Sequence, residues 1–296
     1  VQFPVYRTYV SGSSLSDIDR EYIATACRRA QERFPGIEYE VNFILKYLMK
    51  DLGRDLSGPE RADIDAFVMR FQQFTGPLMV KGFEDTTLYI YNRLISLNEV
   101  GSRPDLFGIQ ASHFHAFNRC RAQSLPGTLN ATATHDTKRG EDARARINVL
   151  SEIPREWERN IASWSRKTRR FRKPAGSPGI DPNDEYFLYQ TLVGSYPFVE
   201  EEVPPFVERV KEYAVKALRE AKVHTAWIKP DTEYETLCVS FLDAILDPAR
   251  GSRFLSEFIP FQRMVAFYGV INSLSQTLLK MTSPGIPDFY QGCELW

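Results

Sequence analysis

At 296 residues the chain is long enough for one large domain or two ordinary ones. A formal net charge of -1 argues against a whole-chain polyanion binder, so no nucleic-acid partner is expected. No apolar run approaches the roughly 18 residues of a membrane span, and the opening Val-Gln-Phe-Pro-Val-Tyr lacks the basic start and apolar core of a signal peptide, so no membrane partner is expected.

Residues 3–10 are short, β-branched and aromatic and are expected to form a strand. Ser16 can cap a helix whose apolar positions Ile18, Tyr22, Ile23, Cys27, Ala30 and Phe34 recur at helical spacing before Pro35-Gly36. A second helix follows through Val41, Ile44, Leu45 and Leu48, ending near Gly53. The third has Pro59 in its first turn, Ile64, Phe67, Val68, Phe71 and Phe74 on one face, and Gly76 as its stop. Residues 128–134 are small and Thr-rich, a second strand candidate, with a helix expected over 143–150. The run 166–173 carries six basic residues in eight and leads into a Pro/Gly/Ser stretch, so 166–179 is expected to be a mobile surface loop. Helical periodicity returns over 207–221 and 262–280, and residues 288–291 form a third candidate strand.

The four cysteines are scattered without a Cys-x-x-Cys pair, which reads as reduced, mostly buried thiols. Of the four histidines only His113 and His115 lie close together, and they make no convincing metal site.

The sharpest local motif is Thr134-His135-Asp136-Thr137-Lys138-Arg139-Gly140-Glu141-Asp142. A strand that delivers His-Asp just before a helix is the arrangement in which barrel enzymes present reactive groups. There Asp136 could grip adjacent sugar hydroxyls and His135 could donate to the same ring. The bland alternative is a helix cap by Asp136 with His135 packed beneath it. Lys138 could reach an acceptor sugar, whereas Arg139, Arg144 and Arg146 are expected to pair with Glu141, Asp142 or neighbours. Further candidates for sugar contact are Lys81, Glu84, Asp85, Tyr89, Tyr91 and Arg93, with structural ion pairs as the equal alternative.

Several long runs resemble maltooligosyltrehalose synthases of the α-amylase superfamily. They are Arg70-Phe-Gln-Gln-Phe-Thr-Gly-Pro77, Lys81-Gly-Phe-Glu-Asp-Thr86 and Tyr91-Asn-Arg-Leu-Ile-Ser-Leu-Asn-Glu-Val-Gly101. The segment from Thr132 to Pro154 around the His-Asp pair, Glu185 to Gly194, and Pro284-Gly-Ile-Pro-Asp-Phe-Tyr-Gln-Gly-Cys-Glu-Leu-Trp296 resemble them too. The resemblance implies that His135-Asp136 closes the seventh strand of a (β/α)8 barrel. Asp136 would then fix the distorted sugar in the transition state, with His135 a sugar-binding neighbour. The implied substrate is a maltooligosaccharide or α-1,4-glucan. The implied reaction is an intramolecular transglucosylation in the cytoplasm, an isomerase activity that turns a terminal α-1,4 bond into α,α-1,1 without a cofactor. The family places its carboxylate nucleophile and acid before the His-Asp strand.

The run Gly101-Ser-Arg-Pro-Asp105 fits the superfamily nucleophile pattern, but Pro104 would interrupt a central strand, and no Glu or Asp follows between Leu106 and Thr134 to serve as the acid. The pair is therefore expected to be missing, as in a piece of a longer enzyme that is inactive alone. The expected architecture is mainly α, with helical insertions attached to about the sixth to eighth strands of an interrupted (β/α)8 barrel. The divisions are 1–10 (strand), 11–125 (helical insertion), 126–150 (strand, His-Asp motif and helix), 151–261 (helical insertion) and 262–296 (helix and last strand). The alternative is a non-catalytic helical module that supports the barrel or binds α-glucan.

Overall fold

The computed structural model describes residues 2–11, 15–52, 56–293 and 296. The chain divides into two compact units, 1–86 and 87–296. No helix among the described residues is long and apolar enough to cross a membrane.

In the first unit, α1 (Asp17–Arg33) and α2 (Glu38–Leu48) are joined through Pro35-Gly36, and α3 spans Gly58–Met79. Ser16 caps α1 by accepting the Asp19 N–H, as its sequence predicts, and Ser57 and Glu60 form a reciprocal capping box at the start of α3. The end expected for the second helix near Gly53 lies outside the described residues.

Three expectations for this unit are corrected. Residues 3–10 are not a strand. The side-chain amide of Gln72 brackets Val10 instead, accepting its N–H at 2.6 Å and donating to its C=O at 3.0 Å, so a helix side chain does what a neighbouring strand would do. The core stripe of α3 runs through Ile64, Val68, Gln72 and Thr75, leaving Phe67 and Phe74 exposed. Helix α3 also does not stop at Gly76. It passes through Pro77 and widens into a π-helix, Val80–Thr87, the rare form that tends to mark functional segments.

The second unit opens with α4 (Leu88–Ile90), a 3₁₀ turn at Ile95–Leu97, and α5 (Ala111–Ser124). Strand β1 (Leu129–Ala131) precedes α6 (Glu141–Val149), α7 (Pro154–Arg172), α8 (Pro182–Ser195), α9 (Val203–Ala221), α10 (Thr232–Leu246), α11 (Ser252–Thr282) and β2 (Ile286–Asp288). The two strands are parallel, with Leu129 opposite Ile286 and Ala131 opposite Asp288. β2 thus begins two residues before the segment expected from sequence.

Gly285 makes this pairing possible: its φ is +121°, and a Cβ there would stand 2.5 Å from the Thr128 carbonyl oxygen. A mainly helical unit with parallel strands and helices between them is the form expected for the later part of an interrupted barrel.

Helix α8 is the most deeply buried of this unit, with ten of its fourteen residues buried, and these include the polar Asp184, Glu185, Gln190 and Thr191. Trp164 of α7 is fully buried, its ring set edge-on to Tyr189, Phe254, Phe258 and Phe261. The second half of α11 differs: Phe267, Ile271, Leu274, Leu278 and Met281 form an exposed apolar ridge.

The basic run is corrected as well: through Arg172 it is the end of α7 and not a loop. Cations there oppose the negative end of the helix dipole, and several are anchored. Lys167 pairs with Glu257, Arg172 with Glu185 at 3.3 Å, and Arg170 donates to the Arg250 carbonyl. Only the stretch after Lys173 is irregular. Of the cysteines only Cys238 is buried, while Cys120 is exposed.

Candidate functional site at the end of β1

His135 and Asp136 sit in a tight turn between β1 and α6, held by Thr134 and Thr137. The Thr137 hydroxyl donates to the Thr134 carbonyl at 2.9 Å, and the Asp136 N–H reaches the Thr134 hydroxyl at 3.2 Å. Both His135 and Asp136 are exposed, and among the described residues neither side chain makes a hydrogen bond or ion pair. The N-cap of α6 is Gly140, so Asp136 is not a helix cap.

The turn is braced on both sides. On its strand side, Thr132 is held by Glu141, by Arg144 through its carbonyl, and by the Lys280 ammonium at 2.8 Å. Lys280 and Glu141 are a buried ion pair at 3.2 Å, and the Lys280 Nζ lies 3.9 Å from the centre of the Phe289 ring, just beyond β2. Burial pulls the Arg144 guanidinium down from its ordinary range, against the opposing pull of Glu99 and Glu141.

On its helix side, the buried Glu99 carboxylate accepts the N–H groups of Lys138 at 2.7 Å and Arg139 at 3.3 Å. The Arg139 guanidinium is directed to the Ile95 carbonyl and the Tyr213 hydroxyl, both at 3.1 Å.

The predicted site residues are divided between the units. His135, Asp136, Lys138, Tyr89, Tyr91 and Arg93 belong to the second, and Lys81, Glu84 and Asp85 to the first. The Lys138 ammonium stands 5.3 Å from the centre of the Tyr89 ring, which is itself buried. Tyr91 and Arg93 are exposed, and their carbonyls accept from Asn98 and Tyr186. Lys81 and Asp85 form an ion pair at 2.6 Å, and buried Glu84 accepts the Tyr6 hydroxyl.

Of the three arginines expected to pair with neighbouring acids, none makes that contact its main one. Arg146 donates to the Tyr196 carbonyl and lies over Phe198 and Trp296, while Asp142 accepts from Ser273. Among the described residues no group of three or more His, Cys, Asp or Glu could hold a metal ion.

Sequence reasoning did not single out Glu99 and Lys280, and it took Glu141 as a partner for arginines rather than for Lys280. Glu99 stood inside a recognised run, but no spacing rule linked it to residues 39 and 40 positions later.

No family model matches the sequence. A protein of Mycobacterium tuberculosis (strain H37Rv) whose assigned name is maltooligosyl trehalose synthase is 38% identical over 228 residues, which are 77% of this chain and 28% of that protein. A solved structure of a maltooligosyltrehalose synthase from Arthrobacter ramosus superposes with a TM-score of 0.78 at 32% identity, covering 100% of this chain and 34% of that one. A hypothetical maltooligosyl trehalose synthase of Sulfolobus tokodaii gives a TM-score of 0.76 at 38% identity over 98% of this chain and 35% of that one.

This chain is homologous to part of the maltooligosyltrehalose synthases. It spans about a quarter to a third of the length of these relatives. Sequence identity over 77% of this chain and superposition over 98–100% of it agree on this likeness.

Proposed function

We propose that this chain supplies the His-Asp side of a maltooligosyltrehalose synthase active site, in which a terminal α-1,4 bond of a maltooligosaccharide is rejoined as α,α-1,1. The observation that carries the reading is Asp136: an exposed carboxylate without a partner among the described residues, at the C-terminal end of a parallel strand, in a turn braced on both sides. In the reaction, positive charge develops on the sugar ring as the glycosidic bond opens. Asp136 would accept hydrogen bonds from adjacent hydroxyls of that ring as it distorts, and His135 would donate to the same sugar. A preorganised turn keeps the carboxylate in place without a reorganisation cost during the step.

Retaining chemistry also needs a nucleophile and an acid roughly 5 Å apart. The run Gly101 to Asp105 does not supply one of them. It lies in an exposed turn where Asp105 pairs with Arg103 at 2.7 Å, and that guanidinium holds the Asp105 carboxyl below the usual range. The 296 residues alone are therefore proposed not to form the linkage.

The test uses this chain and a chimera in which it replaces the matching segment of the Arthrobacter ramosus synthase, both incubated with maltopentaose while reducing ends are followed. The chimera should consume reducing ends and the chain alone should not. Asp136→Asn in the chimera should lower turnover by about 10²–10³ with little change in substrate binding. Near-normal turnover by that variant would overturn the role of Asp136, and activity of the chain alone would overturn the second claim.

A further inference from the structure

Helices α9 and α10 run antiparallel, with the ion pairs Lys211–Asp243 at 3.0 Å and Arg219–Glu235 at 2.7 Å fixing their register. The turn that joins them presents apolar side chains to solvent. Ala226 and Lys229 each donate a backbone N–H to the other's carbonyl, at 3.2 and 3.1 Å, so Trp227 and Ile228 form the tip of a two-residue turn. Ile228 is 99% exposed and Trp227 52%. The tip is fixed from behind: the Trp227 indole N–H donates to Glu220 at 3.0 Å, and the Arg219 guanidinium lies 5.0 Å from a Trp227 ring centre. A preorganised turn that carries an exposed Ile beside a Trp has the form of a docking anchor, with little left to order on binding.

The opposite end of the same helix pair holds a matching hollow. A cavity of about 940 Å³ lies between the segment after α8, the start of α9, the end of α10 and the first half of α11. Val203, Val207, Leu255 and Ile259 give it apolar walls. Four carboxylates line it, those of Glu200, Glu208, Asp243 and Asp247, against the guanidinium of Arg263. Lys211 pairs with both Glu208 and Asp243, at 2.7 and 3.0 Å, which still leaves negative charge in surplus. Gln262 in the wall is 1% exposed, and its Oε1 has no hydrogen-bond partner among the described residues, so the cavity also holds an unsatisfied acceptor.

We propose that the Trp227-Ile228 turn of one copy of this chain docks in this cavity of a second copy. The turn cannot fill the cavity of its own chain, because the nineteen residues of α9 that separate them span about 28 Å. Ile228 is the anchor for the apolar walls, and Lys229, exposed at the turn, meets the surplus carboxylates. The N–H groups of Trp227 and Ile228 make no hydrogen bond among the described residues and are donors of the kind that Gln262 lacks. The contact joins two different surfaces, so each added copy brings a further free cavity or turn, and association continues head to tail into a ring or a filament.

The experiment is sedimentation velocity of the 296-residue chain over a wide range of concentration, where species larger than a dimer should grow in as concentration rises. Ile228→Gln removes the anchor at a fully exposed position, and Val199→Lys, at a half-exposed position lining the cavity, sets a cation against Lys229. Each should weaken association at least about tenfold with the thermal unfolding midpoint unchanged. Mixed together, the two variants should form a one-to-one complex and nothing larger, because one keeps only a competent cavity and the other only a competent turn. A chain that is monomeric throughout, association that Ile228→Gln leaves intact, or a mixture that stays monomeric would overturn the proposal. Association lost in Leu274→Lys and kept in Ile228→Gln would overturn it in favour of the α11 ridge.

Discussion

The Oε1 atom of Glu99 accepts the backbone N–H of Lys138 at 2.7 Å, joining two segments 39 residues apart at the edge of the His-Asp turn. The same carboxylate takes the N–H groups of Arg139 and Val100. Glu99→Ala leaves these amides without their charged acceptor and should destabilise the second unit by about 2–3 kcal/mol. All four tryptophans (Trp157, Trp164, Trp227 and Trp296) lie in that unit, so the urea midpoint followed by tryptophan fluorescence reports it directly. An unchanged midpoint would show that the brace contributes nothing.

Lys280 and Glu141 test the other brace. Lys280→Met strands a buried carboxylate and should cost about 3–5 kcal/mol, whereas the double variant Lys280→Met/Glu141→Leu should recover a substantial part. Purely additive losses in the double-mutant cycle would show that the two charges act independently.

Proteolysis separates the end of α7 from the irregular stretch beyond it. Because Lys173 precedes Pro174 and no basic residue follows until well into the next helices, trypsin is uninformative there, and subtilisin is the better probe. It should nick within 174–178 before it cuts anywhere in 166–172, where Thr168 is buried and Arg172 is paired. First cleavage inside the basic run would contradict its helical state.

Glu235 gives the second unit a defined acid response. Two hydrogen bonds from Arg219, each 2.7 Å, and one from Thr225 hold its carboxyl below the ordinary range. A carboxyl depressed in the folded state contributes stability that is present above its unfolded pKa, near 4.3, and is lost as pH falls through the folded value. Asp184 and Glu185 act in the opposite sense, because burial raises them and their contribution improves as pH falls. Glu235→Gln should therefore be less stable at pH 7 and lose less on acidification below about pH 4 than the unaltered chain. Parallel curves for the two proteins, measured by urea unfolding from pH 3 to 7, would exclude this assignment.

What the sequence made legible were features carried by local periodicity or by long matching runs. Ser16 as a cap, the parallel pairing partners on either side of α11, and the His-Asp turn all fall in that class. Features decided by distant partners were not legible. The strand expected at 3–10 yields to Gln72, which sits 62 positions from Val10. The Gly76-Pro77 pair looks like a helix stop, yet the tertiary setting carries the helix through it into a π-turn. The basic run repels itself as a sequence, but Trp164 and Thr168 at i and i+4 fix one buried stripe, and Glu257 and Glu185 supply the opposing charges. Lys280 carried no motif at all; only its burial beside Glu141 gives it meaning.

The apolar ridge along the second half of α11 also governs how this polypeptide behaves as a colloid. Exposed faces of this kind lower solubility wherever water is made less hospitable to apolar surface. With a net charge of -1, two copies approaching one another meet almost no long-range electrostatic barrier. Light scattering should therefore rise early in an ammonium sulfate titration, and Leu274→Lys with Leu278→Glu, which leave the net charge unchanged, should delay it by interrupting the ridge itself.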